Sequence, residues 1–232
     1  MLPKRALTPA VVTIDGPAGA GKTSVARALA QRLGYVLLDS GALYRAVALV
    51  ALERAVGLED DEALGRIAAA LRIRFERAEG FQRCWLDERD VTAAIRAPLI
   101  SEAASRVSAQ PAVRAALLGL QRRVAEDRGV VAEGRDMGTV VFPDAPVKFF
   151  LVASPQERAR RRMHQLRQSG VAAPTETQVQ EQQEARDRRD SEREVAPLRP
   201  ATDAIVVDTT ALSEDEVIAK LERTAIEVLC QT

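Results

Sequence analysis

The chain has 232 residues, 47% hydrophobic and 28% charged, a globular balance with room for one large domain and not for two full-sized ones. Its 33 lysines and arginines equal its 33 aspartates and glutamates, so no global field favours wrapping nucleic acid or coating an anionic membrane, and any anion binding is local. Cys84 and Cys230 have no CxxC spacing and His164 is the single histidine, which argues against disulfide scaffolds, zinc sites and histidine-dependent triads.

In chain order, residues 1–10 lack the apolar core of a signal peptide, and no apolar run reaches the roughly 18 residues of a membrane span. A cytoplasmic location is expected. Val11 to Asp15 is an apolar, β-branched run that predicts a buried parallel strand. A glycine-rich turn follows, then helical spacing from Thr23 to Leu33 and a second short strand, Val36 to Asp39. Strand, helix and strand within about 30 residues is the βαβ signature. Helical patterning returns at 42–55 and 61–71. The period then changes to two, so 72–91 reads as a small antiparallel hairpin turning at Ala78-Glu79-Gly80. Helices are expected at 98–108 and 112–127, and further buried strands at 130–132, 147–152 and 204–208. Five apolar strands with helices between them give an α/β fold with a five-stranded parallel sheet. Between the last two strands, 154–200 carries ten arginines against eight acids; its plainest reading is a solvated helical hairpin laced by i,i+4 ion pairs.

The sharpest motif is Gly16-Pro17-Ala18-Gly19-Ala20-Gly21-Lys22-Thr23, followed by Ser24, between a predicted strand and a predicted helix. It matches the P-loop pattern: glycines turn backbone N–H groups around a polyphosphate, Lys22 reaches its β/γ region, and Thr23 offers a hydroxyl to Mg²⁺. ATP with magnesium is the expected donor. The chain contains no asparagine, which removes the guanine-reading NKxD element of GTPases, and its size suits a small-molecule or nucleotide kinase. Transfer onto a phosphate acceptor is mainly positioning and charge neutralisation. A phosphate monoester is already largely dianionic at pH 7, so no general base is needed. Arg45, Arg135, Arg186, Arg189 and Arg193 are the candidate clamps; Arg45 and Arg135 follow predicted strand ends, where open α/β sheets bind ligands. Glu133 is a candidate magnesium carboxylate, with an ordinary turn acid as the alternative.

Four segments, Ile14 to Lys22, Leu38 to Arg45, Glu133 to Ala145 and Val195 to Leu198, resemble the bacterial cytidylate kinases in order and spacing. The resemblance runs from about Val11 to Leu229. It implies one P-loop kinase domain over 1–232, with an acceptor-side β insertion near 72–97 and an arginine-rich helical lid near 154–200. It implies that Ser105, Arg114 and Asp136 read cytosine, that Ser40 and Asp190 contact the sugar region, and that Arg45, Arg135 and Arg193 hold the acceptor phosphate. Arg186 and Arg189 arrive with the lid, and Lys22, Arg135, Arg186 and Arg189 form the catalytic set. A carboxylate such as Asp136 can only accept hydrogen bonds, so it suits the amino group of cytosine and opposes the carbonyl of uracil. The expected substrates are ATP and CMP or dCMP, handled by a monomer without nucleic acid or membrane partners. The alternatives are a P-loop kinase for UMP, dTMP or a shikimate-like acceptor, and a non-catalytic ATP-binding regulator.

Overall fold

Alternation along the first strand decides where the core lies. In the computed structural model, which describes residues 9–78, 81–168 and 174–231, β1 (Val11–Asp15) sends Val12 and Ile14 to one face and Thr13 and Asp15 to the other. The elements after it are α1 (Lys22–Leu33), β2 (Val36–Asp39), α2 (Ser40–Glu53), α3 (Asp61–Ala70), β3 (Ile73–Ala78), β4 (Phe81–Leu86) and β5 (Arg89–Asp90). Then come α4 (Pro98–Val107), α5 (Pro111–Arg123), β6 (Val130–Gly134), β7 (Val147–Val152), α6 (Pro155–Gln168), α7 (Glu176–Glu192), β8 (Ile205–Asp208) and α8 (Glu214–Leu229). A π-turn spans Met137–Val141.

The described residues fall into two compact units. The first holds residues up to Leu38, Val124–Glu192 and Ala196 onward. Its five-stranded parallel sheet has the order β2-β6-β1-β7-β8, so β1 lies at the centre between β6 and β7. Central strands are buried on both faces, which is why they read as continuous apolar runs. Val12, Ile14, Val131, Val147, Phe149 and Leu151 pack on Leu29 of α1 and on Val217, Ile218 and Leu221 of α8. Ser213 and Glu216 form a reciprocal capping box that starts α8. The helical pair α6 and α7 has only a small apolar cluster, Ala159, Leu166 and Val179, with Met163 against it.

The second unit holds Asp39–Arg123 together with Arg193–Val195. Here α3 crosses α5 closely: a Cβ on Gly65 would lie 2.6 Å from the Cβ of Ala112. The antiparallel sheet β3-β4-β5 pairs Arg74 with Trp85 and Phe75 with Cys84. Trp85 packs that sheet, its Nε1 donating to Glu76 at 2.9 Å and its ring carrying the Arg74 guanidinium at 5.1 Å. Residues 79 and 80 of the expected turn lie outside the described residues, as do 169–173. The fifth predicted helix stops at Arg123 rather than Asp127, and β6 runs on to Gly134 where the sequence pattern ended at Ala132. No helix among the described residues is long and apolar enough to cross a membrane.

Candidate active site

The P-loop follows directly from the end of β1. Gly16 has φ 145°, and a Cβ there would meet the Leu151 carbonyl oxygen at 2.2 Å, so only glycine lets the loop leave the sheet at this point. Gly19, with φ 79°, lies so close to α7 that a Cβ would be 2.6 Å from Gln183 Nε2. Lys22 is buried and its Nζ donates to the Pro17 carbonyl at 2.6 Å. Burial pushes the Lys22 amine down to about 7; the charges of Arg135 and then Arg186 push the same way, against Glu133 and Asp187. Thr23 Oγ1 donates to Glu133 Oε1 at 2.6 Å, joining the loop to the end of β6. Both are hard oxygen donors of the type magnesium takes. Among the described residues no group of three or more His, Cys, Asp or Glu side chains gathers as a metal site. A divalent ion held by Thr23 and Glu133 would take its remaining oxygens from nucleotide and water, the kind of site magnesium suits. Ser24, the last of the predicted loop residues, donates back to the Gly21 carbonyl at 3.1 Å.

Past β6, Arg135 donates through Nε to Asp190 at 2.8 Å, so the predicted phosphate clamp and the predicted sugar contact are partners. Burial works against the Arg135 charge, but Asp190, with Asp187 and Glu133 behind it, holds the guanidinium above its ordinary value. Asp136 is 2% exposed. On α7, Gln183 and Asp190 are buried, Arg186, Asp187 and Arg189 are half-buried, and Arg188 is exposed, so one face of the arginine run turns inward.

Four residues of this unit were not singled out from the sequence. Asp187 accepts the Ala18 N–H at 2.9 Å and pairs with Arg158, which donates to the Ala18 carbonyl at 3.1 Å. Arg161 donates to Thr209 Oγ1 at 2.9 Å and to its carbonyl at 2.6 Å. Asp187 and Arg158 hold α7 and α6 to the loop, and Arg161 holds α6 to the residue after β8. Asp15, 4% exposed, accepts the Met137 N–H at 2.9 Å and the Gly138 N–H at 2.8 Å. Burial raises its carboxyl to about 7 despite those two bonds. The signal for Arg158 and Arg161 was their three-residue spacing within a mixed-charge run; for Asp15 it was a carboxylate ending an apolar strand.

In the second unit, Asp39 caps α2 through the Ala42 N–H at 2.9 Å and holds Arg45 Nη2 at 2.8 Å with its other oxygen. Ser40 follows it, buried. Arg45 Nε is buried with no hydrogen-bond acceptor among the described residues. Ser105 and Arg114 are linked through Ser108 at the turn from α4 to α5: Arg114 donates to the Ser108 carbonyl at 3.1 Å, and Ser108 Oγ to the Ser105 carbonyl at 2.9 Å. The Arg114 guanidinium also lies 5.6 Å from the centre of the Tyr44 ring. Arg193 groups with this unit although it follows α7 in the chain.

Known proteins are similar to this chain over most of its length. The family model for cytidylate kinases matches residues 12–227. The chain belongs to the cytidylate kinase family. It is thereby an ATP-dependent nucleoside monophosphate kinase. The cytidylate kinase of Edwardsiella ictaluri is 53% identical over 210 residues, covering 90% of this chain and 93% of that one. That of Saccharophagus degradans is 52% identical over 207 residues, covering 89% and 92%. A bifunctional pantoate ligase/cytidylate kinase of Synechococcus sp. is 49% identical over 224 residues, 95% of this chain and 41% of its own length.

Proposed function

We propose that this cytidylate kinase family member transfers the γ-phosphoryl group of ATP to CMP and to dCMP, giving ADP and the nucleoside diphosphate, in pyrimidine nucleotide metabolism. The observation that carries this reading is the buried P-loop amine of Lys22, whose Nζ is held on the Pro17 carbonyl at 2.6 Å. Such a site gains most when a polyphosphate enters it.

The donor phosphates lie in the loop from Gly16 to Ser24, where backbone N–H groups and the start of α1 face them. Lys22 bonds the β/γ region, exchanging the Pro17 carbonyl for phosphate oxygen. Thr23, with Glu133 behind it, would hold a magnesium ion bound with ATP, which would supply charge neutralisation for the polyphosphate. Arg135, Arg186 and Arg189 neutralise the charge that spreads over the transferring phosphoryl group. Asp190 keeps Arg135 in place and is assigned to the sugar region with Ser40. Arg45, Arg135 and Arg193 hold the acceptor phosphate, and Asp39 orients Arg45. Ser105, Arg114 and Asp136 read the base, Asp136 accepting from the amino group that cytosine has and uracil lacks. The acceptor is a phosphate oxygen, already anionic, so His164, exposed on α6, has no part. All the assigned residues come from one chain, and the reading needs no second copy.

Lys22→Ala is the direct test. Loss of its interaction with the transition state lowers kcat by about 10² to 10³ or more while the circular dichroism of the fold is kept. A kcat close to that of the unmodified enzyme would remove the donor assignment.

A further inference from the structure

Asp15 is buried at the end of β1. Its two oxygens each take one backbone N–H, from Met137 at 2.9 Å and from Gly138 at 2.8 Å. Those are the first two residues after Asp136 and the first two of the π-turn. The start of any helical turn leaves N–H groups without partners inside it, and a carboxylate supplied from another element satisfies two at once. An asparagine in the same place would offer one acceptor and set an NH₂ group against the second N–H.

The other side of Asp136 is equally fixed. Its carbonyl accepts the N–H of Val140 at 2.9 Å and of Val141 at 3.2 Å. The turn also has no room to shift toward the sheet, since a Cβ on Gly138 would lie 2.9 Å from Thr13 Oγ1 and 3.2 Å from Lys148 Cδ. Thr13 and Asp15, two apart on β1, thus form a seat for the turn on the face opposite Val12 and Ile14.

We infer that Asp15 is a specificity-positioning residue: by holding the Met137 and Gly138 N–H groups, it fixes the backbone that presents Asp136 to the cytosine amino group. This rests on the assignment of Asp136 as base reader in the proposed function. Asp15 touches no substrate in this account and acts only through that turn.

The test compares Asp15→Asn, Asp136→Ala and the double variant, with KM and kcat measured for CMP, UMP and ATP. Asp15→Asn is expected to lower kcat/KM for CMP by about tenfold or more, mainly through KM, with UMP less affected, so the CMP-to-UMP ratio falls. KM for ATP stays within about twofold. In the Asp136→Ala background, Asp15→Asn leaves the ratio where Asp136→Ala has put it. An unchanged ratio in Asp136→Ala overturns base reading by Asp136, and this inference with it. A reduced ratio there but an unchanged one in Asp15→Asn overturns the inference alone, as does a rise in the ATP KM that matches the rise for CMP. Should Asp15→Asn not fold, amide exchange in the unmodified enzyme decides: Met137 and Gly138 amides protected, with resonances moved by CMP and not by an ATP analogue, support the role. Exchange of those amides at the rate of open loops overturns it.

Discussion

At the scale of single residues, the buried charge of Lys22 is the feature a polyphosphate changes most. The Lys22 amine titrates near pH 7 because burial and the Arg135 charge disfavour its proton. A bound polyphosphate reverses that balance and raises the amine again. At pH 8 the free enzyme therefore holds Lys22 mostly neutral, and ATP binding takes up a fraction of a proton. Calorimetry at pH 8 in two buffers of different ionisation enthalpy reads this uptake directly; equal heats in both would contradict it. Lys22 itself was legible because the loop pattern stands between a strand and a helix. Asp187 and Arg158 were not, since a charged residue in an arginine-rich run looks the same whether it faces solvent or the Ala18 peptide. Asp15 was hidden for a different reason: its partners are backbone groups 122 and 123 residues away, and sequence patterns say nothing of N–H groups left over at a distant turn.

At the scale of elements, the sheet was readable because parallel strands buried on both faces become unbroken apolar runs, as in Val147 to Val152. What escaped were elements with no periodic signature. Strand β5 is two exposed residues, Arg89 and Asp90, held by pairing with β4 and by the bonds of Arg89 to Glu53 of α2. The π-turn after Asp136 follows neither a period of two nor one of 3.6, and such turns cluster at functional sites. The helical pair α6 and α7 matches its expected place, and its energetics follow from composition: three buried apolar residues and many polar contacts. Few buried apolar contacts mean a low cost of local opening. Amides in the middle of α7 are therefore expected to exchange roughly tenfold faster or more than those of β1, β6 and β7, and Asp187→Ala, which frees α7 from Ala18, speeds them further without changing β1. Protection of α7 equal to that of the central strands would contradict this reading.

At the scale of the whole molecule, equal numbers of acids and bases leave function to local fields, and the chain concentrates them. The donor half of the assignment lies in the unit built on the five-stranded sheet. Ser105 and Arg114, assigned to the base, lie with Ser40 and Arg45 in the unit of α2 to α5. The resemblance drawn from four motifs ran from about Val11 to Leu229, and the family match covers 12–227, so the motifs stood for the whole fold. The central claim is that phosphoryl transfer depends on a cytosine-bearing acceptor. The measurement that tests it most directly is ADP release from Mg·ATP by the purified protein with CMP, dCMP, UMP, dTMP, AMP or no acceptor. Strong turnover with CMP and dCMP, weak turnover with UMP and almost none without acceptor is the predicted result. Turnover that is equal with UMP, or independent of any acceptor, would contradict it.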